Sequence, residues 1–251
     1  MTNPILAKAK KIKQNLYPVR RNKTSPIDVE KAEEIFYISY LEQGMTVFDI
    51  GANIGELSLL FSRFVGTSGK VYSFEACGKT FEQLSKICQI ANRPQISLNH
   101  FAVADEEGTL HLNVYDESHS GWNSLANRPL HEYGIDMKPL FQETVKAITL
   151  DSFCKQNQID SIDLLKIDVE GAEYQVMLGA KSLFQSQRIK CCVFEFGATT
   201  FDMGNTPDRI EVFLRDCGYR IRNVVEGDSI FPGRKAPKTA RFSLHIATPQ
   251  K

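Results

Sequence analysis

The sequence predicts an α/β domain: a doubly wound, mostly parallel sheet with helices on both faces. Two observations predict it. Short apolar stretches alternate with amphipathic ones from Thr46 to Cys217, the rhythm of strand, helix, strand. The strand-like stretches are nearly continuous in apolar residues, as strands covered on both sides must be. A third observation orients the domain. The first strand runs into a glycine turn, Gly51-Ala52-Asn53-Ile54-Gly55, and open α/β sheets bind ligands beyond the carboxyl ends of their strands.

Asp28 to Leu41 reads as a helix with Asp28 as its cap and Ala32, Ile35, Phe36 and Ile38 on its apolar face. Thr46 to Ile50 is a strand, and Glu56 to Phe64 the helix after the glycine turn. Lys70 to Phe74 is the second strand, Lys79 to Asn92 a helix, and Ile96 to Ala102 the third strand. Thr109 to Tyr115 alternates at period two and predicts an extra strand. A polar stretch, 116–143, follows as an insert. Val145 to Ile148 is extended, and Leu150 to Gln156 is a short helix.

Ile162 to Ile167 is the next buried strand and Ala172 to Phe184 a helix. Lys190 to Phe196 is a strongly apolar strand, and Asp208 to Cys217 a helix stopped by Gly218. Tyr219 to Val224 and Phe242 to Ala247 are two last strands, joined by a basic loop around Phe231 to Arg241. With no helix between them they should be antiparallel, near one edge of the sheet.

The chain has 251 residues, 42% hydrophobic and 24% charged, which fits one soluble domain. Its formal net charge is zero, so nothing at whole-chain level points to nucleic acid. The charge is uneven, however. Lys8, Lys10, Lys11, Lys13, Arg20, Arg21 and Lys23 meet no acid before Asp28. A solvated arm accounts for such a run; a partner or membrane-surface contact is the sharper alternative. Residues 1–44 are therefore read as an arm plus helix, and 45–251 as the domain carrying the insert.

No stretch reaches the roughly 18 apolar residues a membrane span needs. The cysteines (77, 88, 154, 191, 192 and 217) form no C-x-x-C pair and read as free thiols in a reducing cytoplasm. No histidine spacing suggests a metal site.

Five strand ends carry acids: Asp49, Glu75, Asp105, Asp168 and Glu195. Buried acids need partners or work to do, so this is not a packing pattern. Asp49 stands two residues before Gly51, and Asn53 occupies the third position of the turn. A carboxylate there repels a pyrophosphate. It suits a ligand with a cationic ammonium group, as S-adenosylmethionine has. Glu75, twenty residues beyond Gly55, has the spacing of an acid that accepts hydrogen bonds from ribose hydroxyls.

The segments D-I-G-A-N-I-G, Y-S-F-E-A, N-H-F-A-V-A-D, L-L-K-I-D-V-E-G-A-E and F-E-F, between Thr46 and Phe196, resemble the FkbM family of class I methyltransferases. The resemblance implies a seven-stranded Rossmann-like sheet, S-adenosylmethionine as cofactor, and methylation of hydroxyl groups, often on sugars or polyketides. It implies cofactor contacts at Asp49, Gly51, Ala52, Asn53, Gly55, Glu75, Ala76 and the turn from Ala102 to Asp105. Residues 45–251 then form the class I methyltransferase domain.

Asp168 ends the strand expected beside the first one, so it should border the sulfonium. Lys166, Asp168 and Glu170 alternate at period two and could share one side of the chain. Glu195, flanked by Phe194 and Phe196, is either a partner for Lys166 or a backbone amide, or a group that orients the acceptor hydroxyl. Asp168 and Glu195 are the residues expected to handle that hydroxyl, with Glu170 and Lys166 as further candidate catalytic residues. In the insert, His119, Trp122, Asn123, Ser124, His131 and Tyr133 mix flat rings with polar groups, which suits a small-molecule acceptor such as a glycan. Two rival readings stand: an NAD-dependent oxidoreductase on the same sheet, and a binding module that keeps the fold without catalysis.

Overall fold

The structure, a computed structural model, describes residues 29–133, 135–225, 230–231 and 243–250. The basic arm with Asp28, and most of the loop between the last two strands, lie outside them. Helix α1 (Val29–Tyr40) is followed by β1 (Thr46–Ile50), α2 (Glu56–Val65), β2 (Lys70–Phe74), α3 (Gly78–Ala91) and β3 (Ile96–Asn99). Then come β4 (Ala102–Val103), β5 (Gly108–Val114), two 3₁₀ turns (Glu117–Trp122 and Leu130–Tyr133), β6 (Phe141–Ile148), α4 (Leu150–Gln156) and β7 (Leu164–Ile167). The last part holds α5 (Glu173–Leu178), α6 (Lys181–Gln185), β8 (Cys192–Phe196), α7 (Ala198–Asp202), α8 (Pro207–Asp216), β9 (Tyr219–Asn223) and β10 (Ser243–Pro249).

Seven strands form one sheet in the order β3-β2-β1-β7-β8-β10-β9. β10 is antiparallel to both of its neighbours, and the pairs from β3 to β8 are parallel. This is the expected doubly wound sheet. Successive strand residues face opposite sides, and the two cores show it. Phe48, Ile50, Leu165, Ile167, Phe194 and Phe196 pack on one side with α4, α5, α6 and α8. Val47, Val71, Leu164 and Val193 pack on the other with Phe36 and Tyr37 of α1 and Phe61 of α2. By the same parity Asp49, Lys166 and Glu195 belong to the α1–α2 side.

Beyond shifts of a residue or two at element ends, three elements and one addition differ from the expectations. The predicted strand from Ile96 to Ala102 is two strands. Ile96–Asn99 stays in the main sheet, and Ala102–Val103 pairs with β6 in a second sheet of order β4-β6-β5. β6 begins at Phe141, inside the predicted insert, because β5 supplies its edge with hydrogen bonds. The predicted helix from Ala172 to Phe184 breaks at Gly179, which packs so close to Ala104 O that a Cβ would lie 2.0 Å from it. Helix α7 was not expected.

Candidate active site

A cavity of about 530 Å³ opens at the carboxyl ends of β1, β2, β7 and β8, within the size range of small-molecule sites. Its floor is the glycine turn. Gly51 has φ +77, and a Cβ there would lie 1.8 Å from Asp168 O, so only glycine lets the β1 and β7 loops meet. The amides of Gly51 and Ala52 both donate to Phe74 O at 3.0 and 2.9 Å. Gly55, φ +93, leaves room for Leu84 of α3. The turn is therefore held from both sides before any ligand arrives.

Glu75 lines the cavity. Its two oxygens accept from the Asn53 and Cys77 amides, each at 2.9 Å. Burial outweighs these bonds and pushes its carboxyl up to about 7. The Ala76 amide bears on the same carboxyl, and the acceptor capacity left over is open to hydroxyl donors.

Asp49 is fully buried and does not line the cavity. Ser58 Oγ donates to its Oδ2 at 2.6 Å, and Lys166 Nζ stands 3.2 Å from its Oδ1. Lys166 also donates to Gly51 O at 3.0 Å and stands 3.4 Å from Asp168 Oδ2. The acid of the first strand thus holds the floor together through Lys166, where the sequence reading had set it against the ligand itself.

Asp168 and Glu195 both line the cavity, close enough for the Asp168 carboxylate to act on Glu195. Burial, then the Asp168 charge, pushes the Glu195 carboxyl well above its usual range. Of the two roles weighed for Glu195, the pairing with Lys166 is not present: the lysine is engaged by Asp49 and Asp168.

Glu170 also lines the cavity but leaves the Lys166–Asp168 side. Its φ of +53 turns the chain, and its carboxylate pairs with Arg128 Nη1 at 3.3 Å. Burial, then the nearby Asp168 charge, pushes it up to about 8.

The insert roofs the cavity. Ser120 Oγ donates to Asn53 Oδ1 at 3.1 Å, and Ser124 Oγ to Glu170 O at 2.7 Å. Trp122 and Asn123 line the cavity, and Ser124, buried, does not. His119 is bound to Asp116 at 2.8 Å and packs on Trp122 from outside. Ala76 and Ala102 are lining residues, whereas Ala52 and Gly55 lie beneath and Asp105 is exposed away from the cavity.

Three charged residues at the site, Glu30, Glu33 and Arg128, escaped the sequence reading. Arg128 lies over the Trp122 ring at 5.4 Å and ties that wall to Glu170. Glu33 of α1 lines the cavity although it precedes the predicted domain. Its signal was the spacing to Tyr37, one turn on, whose hydroxyl donates to it at 2.5 Å. Among the described residues, no group of three His, Cys, Asp or Glu side chains is placed to hold a metal ion. The six cysteines are free and buried, and no described helix is long and apolar enough to cross a membrane.

A seven-stranded sheet of this order, with a glycine turn and acids gathered at one rim, defines a Rossmann-like methyltransferase. Two solved structures share the fold at TM-score 0.50: a proposed rRNA methylase from Clostridium thermocellum and a proposed methyltransferase from Streptococcus mutans in complex with SAH. They are 12% and 8% identical, and each alignment covers 90% of this chain and 99% and 100% of theirs. Residues 49–221 match the methyltransferase FkbM domain, and the chain belongs to that family. The 31-O-demethyl-FK506 methyltransferase FkbM of Streptomyces tacrolimicus is 27% identical over 80% of this chain and 81% of its own. The hexuronic acid methyltransferase AglP of Haloferax volcanii is 23% identical over 58% of this chain and 54% of its own.

Proposed function

We propose that this methyltransferase uses S-adenosylmethionine to methylate a hydroxyl of a sugar or another polyhydroxylated metabolite. The observation that carries the reading is the Asp168–Glu195 carboxyl pair facing the same cavity as Glu75. The residues fit the cofactor. Glu75 keeps lone pairs for ribose hydroxyls, and the tight Gly51 turn brings backbone against the space beside it. When bound, S-adenosylmethionine supplies a methyl group on a sulfonium that is already a good leaving group.

What remains for the chain is orientation, exclusion of water and removal of one proton. Trp122 and Asn123 wall the cavity on the insert side, and the indole offers a flat face to a sugar ring. Orientation of this kind can supply about 7–11 kcal/mol of a barrier. An alcohol loses its proton as its oxygen is alkylated. The carboxyl pair, once ionised, accepts that proton, a contribution of roughly 10²–10⁴-fold. The two relatives, a 31-O-demethyl-FK506 methyltransferase and a hexuronic acid methyltransferase, favour a hydroxylated acceptor. Family membership favours methyl transfer over the hydride-transfer and non-catalytic readings.

The test is incubation with S-adenosylmethionine and a panel of polyols, glycans and hydroxylated macrolides, read by mass. Single-turnover rates of Asp168→Asn and Glu195→Gln follow on any acceptor found. Both variants should fall at least a hundredfold; unchanged rates in both would remove the carboxyl pair from the reaction.

A further inference from the structure

Glu33 comes from helix α1, outside the 49–221 match to the family, yet its side chain lines the cavity beside Ile50 and Gly51. The helix is fixed lengthwise against the sheet. At its far end Tyr40 OH donates to Asp163 O at 3.0 Å, just before β7. In its middle Tyr37 is fully buried, packed edge-on against Phe61 at 4.8 Å. Tyr37 OH then fixes Glu33 Oε1 at 2.5 Å. The carboxylate is thus aimed by a rigid phenol, and Oε2 is not engaged by Tyr37.

A cofactor with a cationic amine needs an acceptor on this side of the turn. Other acceptors on this side already have partners, and Glu30 of the same helix also lines the cavity, but Glu33 is the one that Tyr37 holds in place. Gly51 O accepts from Lys166 Nζ, and Asp49 is sealed under the floor between Ser58 and the same lysine. Asp168 is shared between Lys166 and Glu195. Glu33 faces this same group electrostatically: Lys166, Asp168 and Asp49 all act on it. It has no cation of its own at ion-pair distance among the described residues.

Resting on the S-adenosylmethionine reading, we infer that Glu33 is the acceptor for the ammonium of the cofactor's methionine moiety, held in place by Tyr37. Burial pushes the Glu33 carboxyl up in the free protein, and a cation beside it favours the ionised form. Helix α1 is then part of the cofactor site, as a binding element that precedes the family's motifs. Glu33 is a binding residue and takes no part in proton removal.

The test is calorimetric titration of the full chain with S-adenosylhomocysteine and with its analogue lacking the amino group. The variants are Glu33→Gln, which keeps the bond to Tyr37, and Tyr37→Phe, which releases the carboxylate. A charge-assisted hydrogen bond of this kind is worth roughly tenfold or more in affinity. Wild type should lose about that factor when the amino group is removed. E33Q should bind S-adenosylhomocysteine about tenfold more weakly than wild type and bind the deaminated analogue equally well. Y37F should show the same selectivity in weaker form. Equal losses for both ligands, or no loss, would overturn the assignment. A wild-type protein that binds neither ligand would instead remove the cofactor reading beneath it, a distinct result.

Discussion

Lys166 Nζ lies 3.2 Å from Asp49 Oδ1 across the central strand pair, where the two residues stand in register. Both are shut off from solvent, the lysine side chain at 4% and the aspartate at 0% exposure. In a parallel sheet, such a pair joins β1 and β7 at the level where their loops diverge to form the cavity. Desolvation opposes the lysine charge, and the Asp49 and Asp168 charges more than restore it.

Breaking that pair should be costly. Lys166→Met leaves Asp49 buried with Ser58 alone, and an uncompensated buried charge costs about 3–5 kcal/mol. Urea denaturation should show this loss. The double variant D49L/K166M, apolar on both strands, should recover part of it. A single variant as stable as wild type would mean the pair is not felt in folding.

Glu173 gives a pH-dependent prediction. It is buried, its Oε1 accepts from the Val169 and Gly171 amides, and its Oε2 has no hydrogen-bond partner among the described residues. Burial outweighs the amides and pushes the carboxyl up to about 7. A raised acid stabilises the fold below its unfolded value near 4.3, and that contribution is lost as pH rises through about 7. Glu173→Gln removes the term. Relative to the variant, wild type should lose about 3 kcal/mol between pH 4 and 8, read as a steeper fall in melting temperature. Parallel pH curves would refute this.

Much of this was legible in the sequence because strand, turn and acid fall in a fixed rhythm. Lys70–Phe74 and Leu150–Gln156 lie where the periodicity put them, and Glu75 is at the cavity as its spacing required. What escaped was tertiary. Arg128 meets Glu170 across 42 residues, and no local pattern encodes that. The first half of β6 is exposed, so Phe141 to Thr144 carries no apolar signature. Asp49 looked like a ligand contact because one chain cannot show that Lys166 would cover it. Glu33 was passed over because its helix read as an appendage, although Phe36 and Tyr37 pack into the core.

The two glycines of the turn should rank in a definite order. At Gly51 a Cβ meets backbone, Asp168 O at 1.8 Å, whereas at Gly55 it meets Leu84 Cδ1 at 2.5 Å. A side chain can move where a carbonyl in a strand loop cannot. Both residues have positive φ, which costs an alanine about 1–3 kcal/mol on its own. Gly51→Ala should therefore lose more melting temperature than Gly55→Ala and should bind S-adenosylhomocysteine worst. The reverse order would mean the loops are softer than their contacts imply.

The carboxyl pair fixes the sign of the rate profile. At low pH the pair is fully protonated and cannot take the acceptor's proton, so single-turnover transfer should rise with pH. The limb should lie above the ordinary carboxylate range, since burial and the Asp168 charge raise Glu195. Asp168→Asn removes that charge, so its residual activity should show the limb at lower pH. A limb that stays in place would assign the titration to another group.

On the proposed reading, Arg128 belongs to the acceptor wall and not to the cofactor floor. Its guanidinium lies over Trp122 and pairs with Glu170, while Glu75 and Gly51 bind through groups it does not touch. Arg128→Leu removes the cation that, among the described residues, pulls the Glu170 pKa down, so that carboxyl should rise further and Trp122 should lose its backing. Acceptor KM should increase about tenfold, as for loss of one charged contact. The dissociation constant for S-adenosylhomocysteine should stay within about twofold of wild type. If cofactor affinity falls as far as acceptor affinity, the wall and the floor are one cooperative unit, and the division of labour between Arg128 and Lys166 is lost.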